Sequence, residues 1–300
     1  MSISPRITQR LMTESSLASM QAGLGRVART QEQLTTGRVI NRPSDSPSGT
    51  NAAMQLRQQI TQNAQFLRNA GDGLARLGTA DTVLTSMMDS VRRVRDLTLQ
   101  GASTGSVGLQ AREALAMEVQ QIRDGLLSQA NSTHLGMPLF GGTTTGKVAY
   151  AKDGTGVVTY AGDANPVNRR IGADDNVRVD ITGPEIFGPA GDDLFDVLAD
   201  ISAKLTSDPG SLGSELDRLD AAMSRITTSL ADVGSRFNRL EAGMRINRDA
   251  ELSLQDSLSQ VENVDMARAM VDLQMNEVAY QAALGATARV LQPSLLDFLR

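Results

Sequence analysis

The chain has 300 residues, enough for one to three domains, with 3% aromatic and 40% apolar residues, a palette suited to helix-on-helix packing. Its 29 basic and 34 acidic residues give a formal charge of −5, and with Lys only at 147, 152 and 204 no basic block suggests nucleic-acid binding. The absence of cysteine excludes disulfides and thiolate metal sites, and the single histidine, His134, forms no histidine cluster by itself.

The opening Met1 to Ser16 has no apolar core of signal-peptide length, and no stretch approaches the roughly 18 apolar residues of a membrane span. No cleaved leader and no membrane insertion are therefore expected. From Pro5 to Thr36, Leu17, Met20, Leu24, Val27 and Leu34 fall on alternating three- and four-residue steps, interrupted by Gln31. That spacing predicts a helix with an a/d seam. Gly37 stops it, and Pro43 and Pro47 hold Arg38–Ser48 as a loop. Ser46 before Pro47 predicts an N-cap followed by proline at the first helical position.

A second helix is expected from about Ser48 to Leu99. Ile60, Leu67, Leu74 and Met88 mark one heptad row, with Asp81 interrupting; Leu56, Ala70, Leu77, Leu84 and Val91 mark the other, with Asn63 interrupting. Gly71, Gly73 and Gly78 weaken it locally and allow close approach or a bend. Arg92, Arg93 and Arg95 cluster there and read as a solvated face. Residues 101–108 break the helix, and Leu115, Val119, Ile122 and Leu126 resume a helical stripe to about Ala130.

From His134 to Gly188 the period shortens. Lys147–Tyr150 and Val157–Tyr160 read as strands joined at Asp153–Gly154, and Val177, Val179 and Ile181 alternate as a third strand. Leu194, Val197, Leu198, Ile201 and Leu205 then form a short helix ended by Asp208–Pro209–Gly210. After it, strict heptad spacing runs from Leu212 through Leu230 to Val261, broken only by Asn247 and Glu251, which predicts roughly 75 Å of helix. The tail, Asn263–Val290, is apolar on two sides. Val264, Val271, Met275, Val278 and Ala282 lie on one, and Met266, Met270, Leu273, Tyr280, Leu284 and Leu291 on the other. Asp265, Arg268, Asp272 and Asn276 mark a polar strip between them, and Pro293 is expected to end the helix.

Catalytic motifs find little support. Gly141–Lys147 (GGTTTGK) fits the first seven places of a phosphate loop, but the eighth is Val148 rather than a hydroxyl residue. The stretch from Lys147 to Tyr160 alternates like a strand instead of opening a helix. Gly71–Asp72–Gly73 with Gly78 lacks the third glycine of a dinucleotide fingerprint, and Asn131–Ser132–Thr133 is a glycosylation sequon in a loop. No nucleophile elbow accompanies His134. An enzyme is not expected, nor a cofactor or a metal.

The loop Arg38–Val39–Ile40–Asn41–Arg42–Pro43–Ser44–Asp45–Ser46–Pro47, after Leu34–Thr35–Thr36–Gly37, resembles the entry segment of the bacterial flagellin superfamily. Ser46 stands where a second Asp is usual. The tail segments Glu262–Ala267, Tyr280–Leu284 and Leu291–Leu299 are similar to that superfamily's C-terminus, with an ending closer to its hook–filament junction branch than to filament subunits. The resemblance implies a structural protein of the flagellum, connecting hook to filament and self-assembling through its terminal helices. A filament subunit, flagellin, is the alternative.

The implied partners are the other hook-associated junction protein, flagellin, copies of the chain in a ring-like layer, and an export chaperone with the type III export apparatus. The implied location is extracellular. The expected fold is mainly α, an elongated antiparallel coiled-coil or helical-bundle rod with a small β-rich insertion domain. Its segments are an assembly helix and loop (1–45), rod helices (46–132 and 191–261, with the long helix at 212–261), a β-rich insertion (133–190) and a C-terminal assembly helix (262–300). Candidate interface residues are Leu17, Leu24, Val27, Leu34, Arg42, Pro43, Ser44 and Asp45 at one end. At the other they are Val264, Val271, Val278, Tyr280, Leu284, Leu291, Pro293, Leu295, Leu296 and Phe298. In an isolated chain these surfaces face water, so the ends are expected to be largely unfolded until neighbours arrive.

Overall fold

The computed structural model describes residues 5–103 and 108–298, and side chains for residue 11, 13–103 and 108–288. Helices α1 (Pro5–Thr36), α2 (Pro47–Ala102) and α3 (Leu109–Ala130) come first. Short strands come next: β1 (Thr133–His134), β2 (Met137–Pro138), β3 (Tyr150–Lys152), β4 (Val158–Tyr160), β5 (Asn168–Arg170) and β6 (Asn176–Arg178). The chain then returns to helix in α4 (Gly183–Phe187), α5 (Leu194–Ser207), α6 (Leu212–Glu262) and α7 (Met266–Phe298). The fold is mainly α. Two units result, residues 1–61 with 251–300, and residues 62–250.

In the second unit, α2 and α6 run antiparallel, as the ion pair Arg95–Asp220 and the hydrogen bond from Asn63 Nδ2 to the Asn247 carbonyl show. Each helix buries a row on the seven-residue step: Ala70, Leu77, Leu84 and Val91 on α2, Leu212, Leu219, Ile226, Val233 and Leu240 on α6. Leu230 belongs to a flanking row and is half-buried. The two asparagines that interrupt the heptads are buried in the same rows. Asn63 donates 2.7 Å to the Asn247 carbonyl, and Asn247 Nδ2 donates 2.8 Å to the Ile171 carbonyl, so both amides are satisfied. Gly73 is the close approach between helices. A Cβ there would lie 2.9 Å from both Leu240 and Val179.

The strands form three antiparallel pairs, β1–β2, β3–β4 and β5–β6. Asn131 bridges α3 to this region, its amide donating to the Tyr150 carbonyl and accepting from the Ala149 and Tyr150 amides at 2.8–2.9 Å. Five of the nine aromatics (Phe140, Tyr150, Tyr160, Phe187 and Phe195) make one cluster with ring centroids 5.1–6.2 Å apart. Two buried arginines anchor backbone. Arg76 donates to the Leu139 carbonyl at 3.2 Å, and Arg123 to the Phe195 and Gly156 carbonyls at 3.0 and 2.9 Å.

Three local expectations change. The turn after Asp153 is a five-residue loop with Gly156 at φ +88°, because the Asp153 carboxylate accepts from the Thr155 and Val157 amides at 2.9 Å. The third strand has a partner, β5, whose Asn168–Arg170 sequence carries no apolar alternation to betray it. Finally, α7 continues through Pro293 to Phe298. The missing proline N–H removes one helical bond without stopping a long helix already propagated.

Asp193 caps α5, accepting from the Asp196 amide at 2.9 Å. It is 4% exposed, and burial pushes its carboxyl up to about 6 from the ordinary 3.8. The native state therefore holds this proton more tightly than the unfolded chain. The stability it contributes is present below about pH 4 and lost as pH rises through about 6. Asp193→Asn keeps a capping oxygen and removes the titration. In urea unfolding followed by circular dichroism, the variant should gain stability relative to the parent as pH rises from about 4 to about 7. A difference independent of pH would contradict the burial argument.

Candidate assembly interface

The terminal unit is built around a corner where the loop after α1 meets the junction of α6 and α7. Gly37 takes φ +70°, a left-handed conformation that glycine adopts at little cost, and turns the chain out of α1. Arg38 then pairs antiparallel with Asn263, flanked by two backbone hydrogen bonds. The Val39 amide donates 2.7 Å to the Glu262 carbonyl, and the Val264 amide donates 3.0 Å to the Gly37 carbonyl. The Arg57 guanidinium holds the nearly buried Glu262 carboxylate at 2.8 Å.

Asp45 organises the loop from within. Its carboxylate accepts from the Arg42 amide at 2.8 Å and the Asn41 amide at 3.1 Å, while its own amide donates 2.9 Å to the Arg42 carbonyl. The bond from the Arg42 amide, with that from Asn41, holds this carboxyl below its ordinary range. Ser46 caps α2, its Oγ accepting from the Gly49 amide at 3.1 Å. Serine at this position keeps the capping oxygen an aspartate would supply and gives up only its charge. A Cβ at Gly49 would crowd the capping Ser46 Oγ at 2.8 Å and the end of the Ile40 side chain at 2.6 Å.

Helices α1 and α7 pair antiparallel. Thr30 Oγ accepts from Asn276 Nδ2 at 3.4 Å, and Gly23 faces the Tyr280 ring. The covered stripe on α1 is Ser16, Met20, Gly23, Val27, Thr30 and Leu34; on α7 it is Ala269, Leu273, Asn276, Tyr280, Ala283 and Thr287. Small and polar side chains supply much of it. Gly23, Thr30 and Ala269 are its buried members.

The large apolar side chains are elsewhere. Leu17 and Leu24 are each 53% exposed, one residue off the paired stripe, so only Met20, Val27 and Leu34 of the expected seam face α7. At 100° per residue, Val271, Met275, Val278 and Ala282 lie nearly opposite the paired face of α7, with Val278 and Met275 both 66% exposed. Met266, Met270 and Leu284 form a second exposed flank. The helix is thus apolar on two sides beyond the one that pairs. Asn276, expected in the polar strip, lies on the paired face.

Of the candidate residues, Val27, Leu34 and Tyr280 pair the helices, while Leu17, Leu24, Val271, Val278 and Leu284 are exposed. Arg42, Pro43 and Ser44 are exposed on the loop that Asp45 holds, Arg42 reaching Glu32 at 3.3 Å. Val264 is half-buried at the corner. The side chains of Leu291, Pro293, Leu295, Leu296 and Phe298 lie outside the described residues. Sequence reasoning missed Arg57, Glu262 and Asn263 as the fasteners of the corner. They carry no periodic signal, although Glu262 and Asn263 open one of the tail segments that carry the family resemblance.

The glycine loop at residues 141–147 is already filled. Asp163 accepts from the Thr143 amide at 2.9 Å and from its hydroxyl at 2.8 Å, placing a carboxylate where a phosphate would sit. Among the described residues no cluster of three histidine, cysteine or acidic side chains is arranged to hold a metal.

Asp45→Ala should free the Asn41 and Arg42 amides while leaving the backbone tie at Val39 and Val264 closed. Hydrogen exchange at residues 41 and 42 should then quicken by about tenfold or more, as expected for loss of a local closing bond. Unchanged exchange at both would contradict the role given to Asp45.

Residues 7–145 match the N-terminal helical region of bacterial flagellin, and residues 216–299 match its C-terminal helical region. Flagellar hook-associated protein 3 of Escherichia coli K12 is 24% identical over 286 residues, covering 94% of this chain and 83% of that protein. The flagellar filament 33 kDa core protein of Treponema phagedenis is 30% identical over 282 residues, covering 91% and 92% respectively. A solved chain from Vibrio parahaemolyticus, described as a flagellar hook-associated protein, shares the fold with a TM-score of 0.67 at 22% identity, over 73% of this chain and all of that one. Matched at both ends and across most of its length, the chain belongs to the bacterial flagellin family.

Proposed function

We propose that this chain is a structural subunit of the bacterial flagellum that joins the hook to the flagellin filament. The observation that carries the reading is the terminal unit, whose helices pair through small residues and leave Leu17, Leu24, Val271, Met275 and Val278 in water. Covering one such side chain is worth about 1.5–3 kcal/mol, so several together offset the cost of docking a subunit. Neighbouring subunits supply that cover. The similarity to hook-associated protein 3 over most of both chains supports the junction reading.

In this reading residues 1–45 and 262–300 are assembly segments, 46–132 and 191–261 form the rod, and 133–190 form an outer β-rich insertion. The partners are copies of the chain in a ring-like layer, the other hook-associated junction protein on one side and flagellin on the other. Before assembly the exposed face of α7 is covered by an export chaperone, and the chain leaves through the type III export apparatus to an extracellular site. The role is structural and involves no catalysis.

Deleting residues 263–300 should leave unit 62–250 folded, with its melting transition retained, but abolish incorporation into flagella. Immunogold labelling of intact flagella should give one narrow band where hook meets filament. Label along the whole filament would favour the filament-subunit alternative, which the 30% identity to a filament core protein supports. Normal incorporation of the truncated chain would refute the assembly role of α7.

A further inference from the structure

One cavity in unit 62–250 is not explained by packing. It opens at the start of α5, between β3–β4 and the segment after α4, and its walls include Val157, Tyr160 and Pro184. Besides the Thr159 and Tyr160 hydroxyls, which are bonded to carbonyls, its polar lining is Tyr150, Asp193 and Asp196. Tyr150 is 2% exposed, its ring enclosed by Tyr160, Phe187 and Phe195 at 5.1–5.2 Å. Its hydroxyl forms no hydrogen bond with the described residues. The contrast with Tyr160 is direct, because that hydroxyl is bound to the Asp163 carbonyl at 2.8 Å. The ring is buried while the hydroxyl meets the cavity, so its hydrogen bonds come from whatever fills that cavity.

The charges around the cavity narrow the choice. Asp193, the N-cap of α5, and Asp196 in its first turn both line it, and none of its described lining residues is basic. The cations around it are already committed: Arg123 on α3 to the Phe195 and Gly156 carbonyls, Arg225, packed on Gly188, to the Phe187 carbonyl at 3.2 Å, and Lys152, which shares an adjoining cavity with Asp196, to Asp124 at 2.8 Å. The site is rich in acceptors and poor in donors, which disfavours phosphate or carboxylate and suits a group with several donors. The apolar walls fit a short aliphatic stem.

We propose that this cavity takes the ammonium end of an aliphatic chain, presented as a lysine side chain of a neighbouring protein, between the Tyr150 hydroxyl and the Asp193 and Asp196 carboxylates. The arrangement accounts for two otherwise separate features. A cation gives the Tyr150 oxygen a donor and relieves the repulsion between the two carboxylates. It also requires Asp193 ionised, so binding strengthens as pH rises through the range where that carboxyl titrates. The site lies wholly within residues 62–250 and does not depend on the flagellar reading.

The test is a titration of the full chain with Nα-acetyl-lysine methylamide, followed by amide chemical shifts at Val157 and Asp196. Saturable shifts are expected at millimolar ligand, with affinity about tenfold weaker at pH 5 than at pH 7.5. The norleucine analogue, which keeps the stem and lacks the ammonium, should give no shift. Asp193→Asn keeps the cap and should weaken binding about tenfold; Tyr150→Phe keeps the ring packing and should weaken it severalfold with the melting temperature little changed. No saturable shift, equal binding of the norleucine analogue, or affinity independent of pH would overturn the proposal. Binding of free butylammonium but not of the lysine amide would reject a protein side chain as the ligand.

Discussion

The terminal unit depends on one backbone tie, the antiparallel pairing of residues 37–39 with 262–264. A helix that leaves α1 at Gly37 and a helix that enters α7 after Asp265 have no intrinsic reason to lie side by side. The hydrogen bonds from the Val39 and Val264 amides supply that reason, and the Arg57–Glu262 ion pair secures the same corner from α2. Asp265 then caps α7 through the Arg268 amide at 3.1 Å, so the new helix starts in a fixed direction. Once α1 and α7 start together, their pairing follows from shape. Gly23 and Ala269 let the backbones approach, and Asn276 donates across the face to Thr30 Oγ, whose own proton goes to the Arg26 carbonyl.

This packing choice has a functional consequence. A helix pair that used its largest side chains internally would be self-sufficient and would present a polar surface. Here the small side chains are spent inside and the leucines, valines and methionines are left outside. Several exposed large apolar residues on one helix are unusual for a finished monomer surface. They are what a subunit needs if burial among neighbours is to drive assembly. The rod-forming rows of unit 62–250 are the opposite case, with Leu77, Leu84, Ile226 and Leu240 fully enclosed by the chain itself. One polypeptide thus holds a finished part and an unfinished part.

Much of the helical architecture was legible because it rests on period. The seven-residue rows of α2 and α6, the Ser46–Pro47 start of α2 and the Asp208–Pro209–Gly210 stop all come from local rules that the structure obeys. Which residues face α7 was not legible from hydrophobicity. The spacing 17, 20, 24, 27, 34 and the spacing 16, 20, 23, 27, 30, 34 differ by a small rotation, and the apolar count favours the first. The structure adopts the second because close backbone approach and one polar contact outweigh side-chain size at that face. Strand β5 and the anchoring arginines, Arg76 and Arg123, escaped for a related reason. Their roles come from long-range hydrogen bonds to carbonyls, which leave no periodic trace.

The central claim is that the outward face of α7 is open in the free chain and closed in the assembled flagellum. The chain has no cysteine, so Val278→Cys provides a single reporter thiol. Its alkylation rate should be close to that of a free thiol in the isolated chain and should fall by at least about a hundredfold in intact flagella, as full burial demands. Equal rates in the two states would contradict the account.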